Sequence, residues 1–220
     1  MQAARKAGAH FSATLSSPLG NIRLGSRAGC LFALDFADDA ETARKIAAKP
    51  SAGLLDGKQI STLRLAGKGE QEDLPIQNSG QAEQQGCQLL ENSLSADAPQ
   101  EDVALLQKTA DELDRYFRGE LTVFSVPLAL EGTEFQRRIW QALLEIPLGS
   151  SLSYGELAEK AGYSASSYGR AAGTAVGSNP VSIIVPCHRI VGKDGKMTGY
   201  SGGLWRKLRL LSLEGFKIAT

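Results

Sequence analysis

The chain has 220 residues, of which 42% are hydrophobic and 22% are charged, and its formal net charge is zero. This length is enough for one large or two small domains with a buried core, and the composition excludes a fully disordered, collagen-like or coiled-coil protein. Three widely spaced cysteines indicate free thiols rather than a disulfide-stabilised secreted domain.

The sequence of the amino-terminal region indicates a cytoplasmic protein that begins with a small sheet. Residues 1–10 lack the apolar core of a secretory signal, and no apolar run reaches the roughly 18 residues of a membrane helix. Apolar residues then alternate between positions 11 and 36, with turn-forming residues at 18–21 and 27–29. This pattern is typical of short antiparallel strands.

The next region is acidic and irregular. Residues 38–100 are rich in Gln, Asp, Glu, Ser and Gly, and we interpret much of this segment as a loop or disordered insertion, with a candidate helix at 40–48. Helical spacing returns at Leu106, Ala110, Leu113 and Phe117, before Gly119. Residues 121–130 read as an extended connector.

Three helices are predicted between residues 133 and 177. Capping boxes begin at Thr133 and Ser153, and a third helix is expected from about residue 166 to residue 177. The last two helices have the outline of a helix-turn-helix, although an ordinary helical hairpin has the same spacing. Residues 160–209 carry eight bases against one acid, which would suit phosphate binding, but charge alone favours a solvated basic face without a partner.

A candidate nucleophile follows a predicted buried strand at residues 181–185. Cys187 stands beside His188, and a thiol becomes reactive when a base or cation lowers its pKa. Neighbouring side chains of an extended chain point apart, so a bend or a bridging water is required. Glu214, at the end of a helix predicted over residues 204–213, is a candidate carboxylate to orient His188. The alternative is an inert buried cysteine.

Several segments together carry a family resemblance. They are GSNPVSIIVPCHRIVG at 177–192, TGYSGGL at 198–204, LLSLEG at 210–215, FQRRIW at 135–140 and SYGELA at 153–158. With them the stretch 132–215 resembles the catalytic domain of the O6-alkylguanine-DNA alkyltransferases, also called methylated-DNA-protein-cysteine methyltransferases. SPLG at 17–20 and YFRG at 116–119 are more weakly similar to the smaller amino-terminal domain of that family.

This resemblance implies a role for each matching residue. Cys187 would accept the alkyl group, His188 would withdraw its proton through a water, Glu214 would polarise His188, and Asn179 would brace the turn before Cys187. The substrate would be bound by Tyr154, Val176, Tyr200, Ser201 and Gly202. DNA would be bound by Arg170, Ala171 and Ser166, with Arg170 replacing an extruded base in the stack.

The resemblance also implies the fold and the partners. We expect an α+β protein with a small mixed sheet and helix domain at 1–128, including the insertion at 38–100, and a mostly helical domain with a helix-turn-helix at 132–220. Its function would be stoichiometric alkyl transfer from O6-alkylguanine, and from O4-alkylthymine, in double-stranded DNA by a monomer. No cofactor is expected, and Cys30, Cys87 and His10 are too few and too scattered for a metal site.

Two other classes of function compete with this interpretation. A Cys-His-Glu hydrolase would use the same three residues on a carbonyl and would turn over repeatedly. A non-catalytic module that binds damaged DNA would need the helix-turn-helix but not the thiol, so the presence of Cys187 disfavours it.

Overall fold

The computed structural model describes residues 10–38, 64–65, 86–90, 93–94 and 97–219. The helix predicted at 40–48 and most of the insertion predicted at 38–100 lie outside these residues. In the part of the chain that is described, no helix is long and apolar enough to cross a membrane.

Short strands and five helices make up the described structure. The strands are β1 (Phe11–Ser16), β2 (Ile22–Arg27), β3 (Cys30–Phe36), β4 (Arg64–Leu65), β5 (Gln88–Leu89), β6 (Leu152–Ser153), β7 (Ile190–Val191) and β8 (Ile218–Ala219). The described helices are α1 (Gln100–Phe117), α2 (Glu134–Leu144), α3 (Tyr154–Lys160), α4 (Ala165–Gly177) and α5 (Leu204–Leu213). The chain is therefore an α+β protein, as the sequence predicts.

The amino-terminal part is a four-stranded sheet covered by α1. Its strand order is β3-β2-β1-β5, and neighbouring strands are antiparallel. Apolar side chains of the sheet and of α1 meet in a buried layer; they include Leu15, Ile22, Leu24, Leu34, Leu106 and Leu113. Helix α1 ends before Gly119, whose φ of +73° favours glycine.

The carboxy-terminal part is mostly helical, and its helix starts follow from the capping residues. Thr133 and Ser153 accept hydrogen bonds from the backbone amides three residues later, which completes both predicted capping boxes. Helices α3 and α4 pack closely because small residues meet there: a Cβ atom on Gly155 would lie 3.3 Å from that of Ala165. These two helices form the predicted helix-turn-helix.

The prediction of a strand at residues 181–185 is wrong, although these five residues are buried as predicted. Only Val181 pairs with the sheet, as a single bridge to Leu34, and turns follow. The amide of Val185 donates to the carbonyl of Val181 at 3.0 Å, and Ile183 has a φ of +70°. The backbone of this apolar run is hydrogen-bonded within turns rather than in a sheet ladder.

The two parts of the chain share one hydrophobic core. A single cluster of buried side chains contains Leu24 and Leu34 of the sheet together with Leu143 and Val185 of the helical part. The bridges between Leu34 and Val181 and between Leu31 and Leu128 add backbone contacts. The division into domains at 1–128 and 132–220 therefore stays a prediction.

Candidate active site

Cys187 lies at the start of a single turn of 3-10 helix, Cys187–Arg189, directly after Pro186. The side chain is 4% exposed. The side-chain amide of Asn179 donates to the sulphur of Cys187 at 3.1 Å and to the carbonyl of Val185 at 2.8 Å, while its oxygen accepts from the amide of Val181 at 3.0 Å. Asn179 thus connects both sides of the turn with the thiol.

The side chains of His188 and Glu214 form a fully buried pair. His188 Nε2 and Glu214 Oε1 are 2.9 Å apart, and neither side chain is exposed to solvent. An ionised carboxylate can only accept hydrogen bonds, so Nε2 carries the hydrogen and Nδ1 is the basic nitrogen of the neutral ring. Among the described residues, His188 Nδ1 is buried without a hydrogen-bond partner.

Two further residues hold Glu214, and the sequence analysis missed both. Arg189 donates from Nε to Oε2 at 2.8 Å and from Nη2 to Oε1 at 2.7 Å, and the hydroxyl of Tyr116 donates to Oε1 at 2.9 Å. Arg189 could have been found, since a buried carboxylate needs a cation and Arg189 directly follows His188. Tyr116 belongs to α1 and gives no local signal.

The contacts of Glu214 keep its carboxyl group ionised, and burial keeps the neighbouring imidazole neutral. Burial alone would raise the pKa of Glu214, but hydrogen bonds and charges from His188 and Arg189 outweigh it and lower this pKa to about 2. Burial lowers the pKa of His188, against the opposing effect of Glu214. The imidazole is therefore available to accept a proton.

Burial favours the protonated form of the Cys187 thiol. Burial raises its pKa, and the hydrogen bond from Asn179 and the charge of Lys207 oppose that effect. Lys207 is itself buried, donating to the carbonyls of Ile190 at 2.5 Å and Thr198 at 3.2 Å, and burial lowers its pKa to about 8. The sequence analysis did not single out this lysine, whose charge favours the thiolate.

The loop at residues 200–203 lies beside Cys187. The pKa of Tyr200 is raised well above its usual range by burial and then by its electrostatic interaction with Cys187. The amide of Gly203 donates to the carbonyl of Tyr200 at 2.9 Å and closes a turn that contains Ser201, which is exposed, and Gly202. These three sequence-predicted substrate residues are thus brought together.

The exposed face of α4 borders a groove of about 550 Å³. Its lining residues are Tyr154, Ser166, Ser167, Gly169, Arg170 and Gly173. The side chain of Tyr154 also contacts the loop before α5, where its hydroxyl lies 2.9 Å from the hydroxyl of Thr198. Ala171 is exposed but does not line this groove, and Val176 is buried in the core.

Cys30 and Cys87 are free and lie outside the cluster around Cys187. Burial, and then the charge of Asp114, raise the pKa of the Cys87 thiol to about 12. Within the described ranges, no group of three or more His, Cys, Asp or Glu side chains is placed to hold a metal ion.

Comparisons with known proteins connect this geometry with one family. Residues 11–130 match the model described as 6-O-methylguanine DNA methyltransferase, ribonuclease-like domain, and residues 134–216 match 6-O-methylguanine DNA methyltransferase, DNA binding domain. The Methylated-DNA--protein-cysteine methyltransferase of Mycobacterium leprae is 54% identical over 51% of this chain and 67% of its own length. That of Mycobacterium tuberculosis is 57% identical over 47% of this chain and 62% of its own length.

Solved structures extend the similarity to nearly the whole chain. The O6-methylguanine methyltransferase of Mycobacterium tuberculosis has a TM-score of 0.59 and 33% identity, and the match covers 94% of this chain and 93% of that one. A structure described as Mycobacterium tuberculosis OGT in complex with DNA has a TM-score of 0.60 and 32% identity, covering 92% and 91%.

Proposed function

The chain belongs to the 6-O-methylguanine DNA methyltransferase family, and from this premise we propose that Cys187 takes an alkyl group from O6-alkylguanine, and from O4-alkylthymine, in duplex DNA. The observation that carries the assignment is the position of its thiol, which accepts a hydrogen bond from Asn179 beside the buried pair of His188 and Glu214. DNA repair by alkyl transfer to cysteine is the function that the family shares.

The first step of the proposed mechanism is removal of the thiol proton. We propose that a water bridges the sulphur of Cys187 and Nδ1 of His188, which is the basic nitrogen of that ring. The proton then moves through this water to the imidazole. Glu214 stabilises the resulting imidazolium through Nε2, and Arg189 and Tyr116 hold Glu214 in place.

The second step is attack of the thiolate on the alkyl carbon. A carbon–sulphur bond forms as the bond from carbon to O6 breaks, and the electron pair of that bond stays on the guanine. Tyr154 is proposed to supply the proton that neutralises the departing base. The thioether is stable, so each protein molecule repairs one lesion and is consumed.

Access to the alkyl carbon requires that the base leaves the helix. Extrusion costs about a few kcal/mol, and a side chain inserted into the stack offsets part of this cost. Arg170 is exposed on α4 beside the groove and is proposed to be that side chain, with Ser166 and Ala171 near the DNA backbone. The small residues of α4 would let the helix approach the minor groove closely, without dependence on sequence.

The acceptor assignment is tested by intact-protein mass spectrometry with duplex DNA that carries one O6-methylguanine. We expect a gain of one methyl group, saturating at one per protein and mapping to Cys187. A Cys30→Ser, Cys87→Ser variant is the matched control and should react fully, whereas Cys187→Ser should not. Modification at another cysteine, or unrepaired DNA beside unmodified protein, would contradict the proposal.

The same experiment separates the competing functions. A hydrolase would release product repeatedly and would leave Cys187 unmodified at the end, and a binding module would leave both DNA and protein unchanged. The family match supports alkyl transfer over the hydrolase interpretation.

We further propose that the protein acts as a monomer in the cytoplasm. Each step described above uses residues of a single chain, so a second copy is not required for the chemistry. Light scattering coupled to size-exclusion chromatography, with and without duplex DNA, should give the mass of one chain in the absence of DNA.

A further inference from the structure

The side chain of Arg206 connects the amino-terminal sheet with the loop beside Cys187. It is 4% exposed and makes hydrogen bonds in three directions. Nε donates to the carbonyl of Leu19 at 2.8 Å, Nη2 to the carboxylate of Asp38 at 2.6 Å, and Nη1 to the carbonyl of Gly202 at 2.9 Å. One guanidinium group therefore contacts two segments of the sheet region and the loop.

The surroundings of Arg206 hold its guanidinium in this position. The group stacks on the ring of Phe36, 4.2 Å from the ring centre, and lies 4.5 Å from that of Trp205. Asp38 also accepts from the amide of Asn21 at 3.1 Å. Gly20 permits the close approach, because a Cβ there would clash with Asp38 and lie 2.9 Å from Nη2 of Arg206.

The loop at residues 200–203 is in direct contact with the same part of the sheet. A Cβ on Gly202 would lie 2.7 Å from the ring of Phe36 and 2.8 Å from the ring of Tyr200. Gly202 thus holds the loop against the sheet, and Tyr200 at the start of the loop lies within electrostatic range of Cys187. Movement of Arg206 would release the carbonyl of Gly202 and allow the loop to move outward.

We propose that Arg206 is a positioning residue through which the amino-terminal sheet sets the size of alkyl group that reaches Cys187. This inference rests on the proposed function. Asp38 fixes the guanidinium, the guanidinium fixes the carbonyl of Gly202, and the loop position determines the width of the substrate pocket. Arginine suits this task because its planar group can donate in several fixed directions at once, which lysine cannot do.

The test compares a small and a bulky adduct in wild type and Asp38→Asn, which keeps the shape of the side chain but loses its charge. Rate constants are measured for alkyl transfer from duplexes carrying O6-methylguanine and O6-benzylguanine. We expect Asp38→Asn to lower methyl transfer and to shift the methyl-to-benzyl ratio by about tenfold toward benzyl. Restoring a carboxylate with Asp38→Glu should recover part of the wild-type ratio.

Two control variants separate positioning from general destabilisation. Asp35→Asn removes the exposed ion pair between Asp35 of β3 and Arg23 of β2, and Ile22→Val weakens the sheet core; both should keep the wild-type ratio. Phe36→Leu removes the ring against the loop and should shift the ratio in the same direction if Asp38→Asn does not fold. An unchanged methyl-to-benzyl ratio in Asp38→Asn overturns the inference. If Asp38→Asn does not fold, an unchanged ratio in Phe36→Leu overturns it. A wild-type protein that transfers neither group overturns the proposed function instead.

Discussion

Glu214 is the residue on which the electrostatics of the site depend. Its two oxygens accept four hydrogen bonds, from His188, Tyr116 and twice from Arg189. A buried carboxylate is stable only when its hydrogen-bond partners replace the lost hydration. The partners of Glu214 stabilise its ionised form so strongly that its pKa is lowered despite burial. The same contacts orient the imidazole that we propose to take the thiol proton.

Replacing Tyr116 with phenylalanine should weaken this support without removing it. The variant loses one donor to Glu214, and we expect a loss of about 1 kcal/mol in the free energy of unfolding. If a similar amount of imidazolium stabilisation is lost, the rate constant for methyl transfer falls about fivefold. Denaturant unfolding and single-turnover kinetics measure the two effects, and Tyr163→Phe is the matched control. An unchanged rate would show that Tyr116 supports only the fold.

The lowered pKa of Glu214 also predicts how stability depends on pH. The value is about 2 in the folded protein against an ordinary value of 4.5, so the unfolded chain binds a proton more readily. The stabilisation is present above pH 4.5 and is lost as the pH falls toward 2. It amounts to about 3 kcal/mol at neutral pH.

Denaturant unfolding at a series of acidic pH values measures this contribution. The wild type should lose stability over that range, and Glu214→Gln should lose about 3 kcal/mol less on acidification because it starts without the charge. Parallel pH curves for the two proteins would mean that Glu214 has the same pKa in both states.

At the scale of elements, the helix starts can be predicted from sequence because capping is local. Thr133 and Ser153 and the residues that complete their boxes lie within four positions of each other. The turn at residues 181–185 could not be predicted in this way, because its conformation depends on Leu34 of the sheet. Tyr116 and Arg206 were missed for the same reason, since their partners are far away in sequence.

Two glycines of the helix-turn-helix should respond in opposite directions to substitution by alanine. At Gly169, inside α4, a Cβ would have only ordinary contacts of 3.9 Å with the backbone of Gly155, so Gly169→Ala should stabilise by about 1 kcal/mol. Gly162 has open space around it but a φ of +86°, so Gly162→Ala should destabilise by about 1 kcal/mol.

Thermal unfolding of both variants in the absence of DNA tests this contrast. Because the two positions have similar room for a methyl group, backbone conformation alone accounts for the expected difference in sign. Stabilisation by both substitutions would show that the turn after α3 adapts to a negative φ.

At the scale of the whole molecule, the charge excess counted from the sequence is larger than the charge available to DNA. Of the eight bases between residues 160 and 209, Arg189, Arg206 and Lys207 are buried and hydrogen-bonded inside the protein. Lys160 forms an ion pair with Glu145 at 2.8 Å. The remaining bases are Arg170, Lys193, Lys196 and Arg209.

Binding to undamaged duplex DNA should therefore depend only moderately on salt. Each neutralised phosphate contributes about −0.9 to the slope of log K against log salt concentration, so these four bases contribute no more than about −4 to that slope. Fluorescence anisotropy over a series of KCl concentrations measures this slope. Arg170→Ala should make it shallower by about 1, whereas Lys160→Ala should leave it unchanged because Lys160 is already paired. An unchanged slope in Arg170→Ala would contradict the DNA contact proposed for that residue.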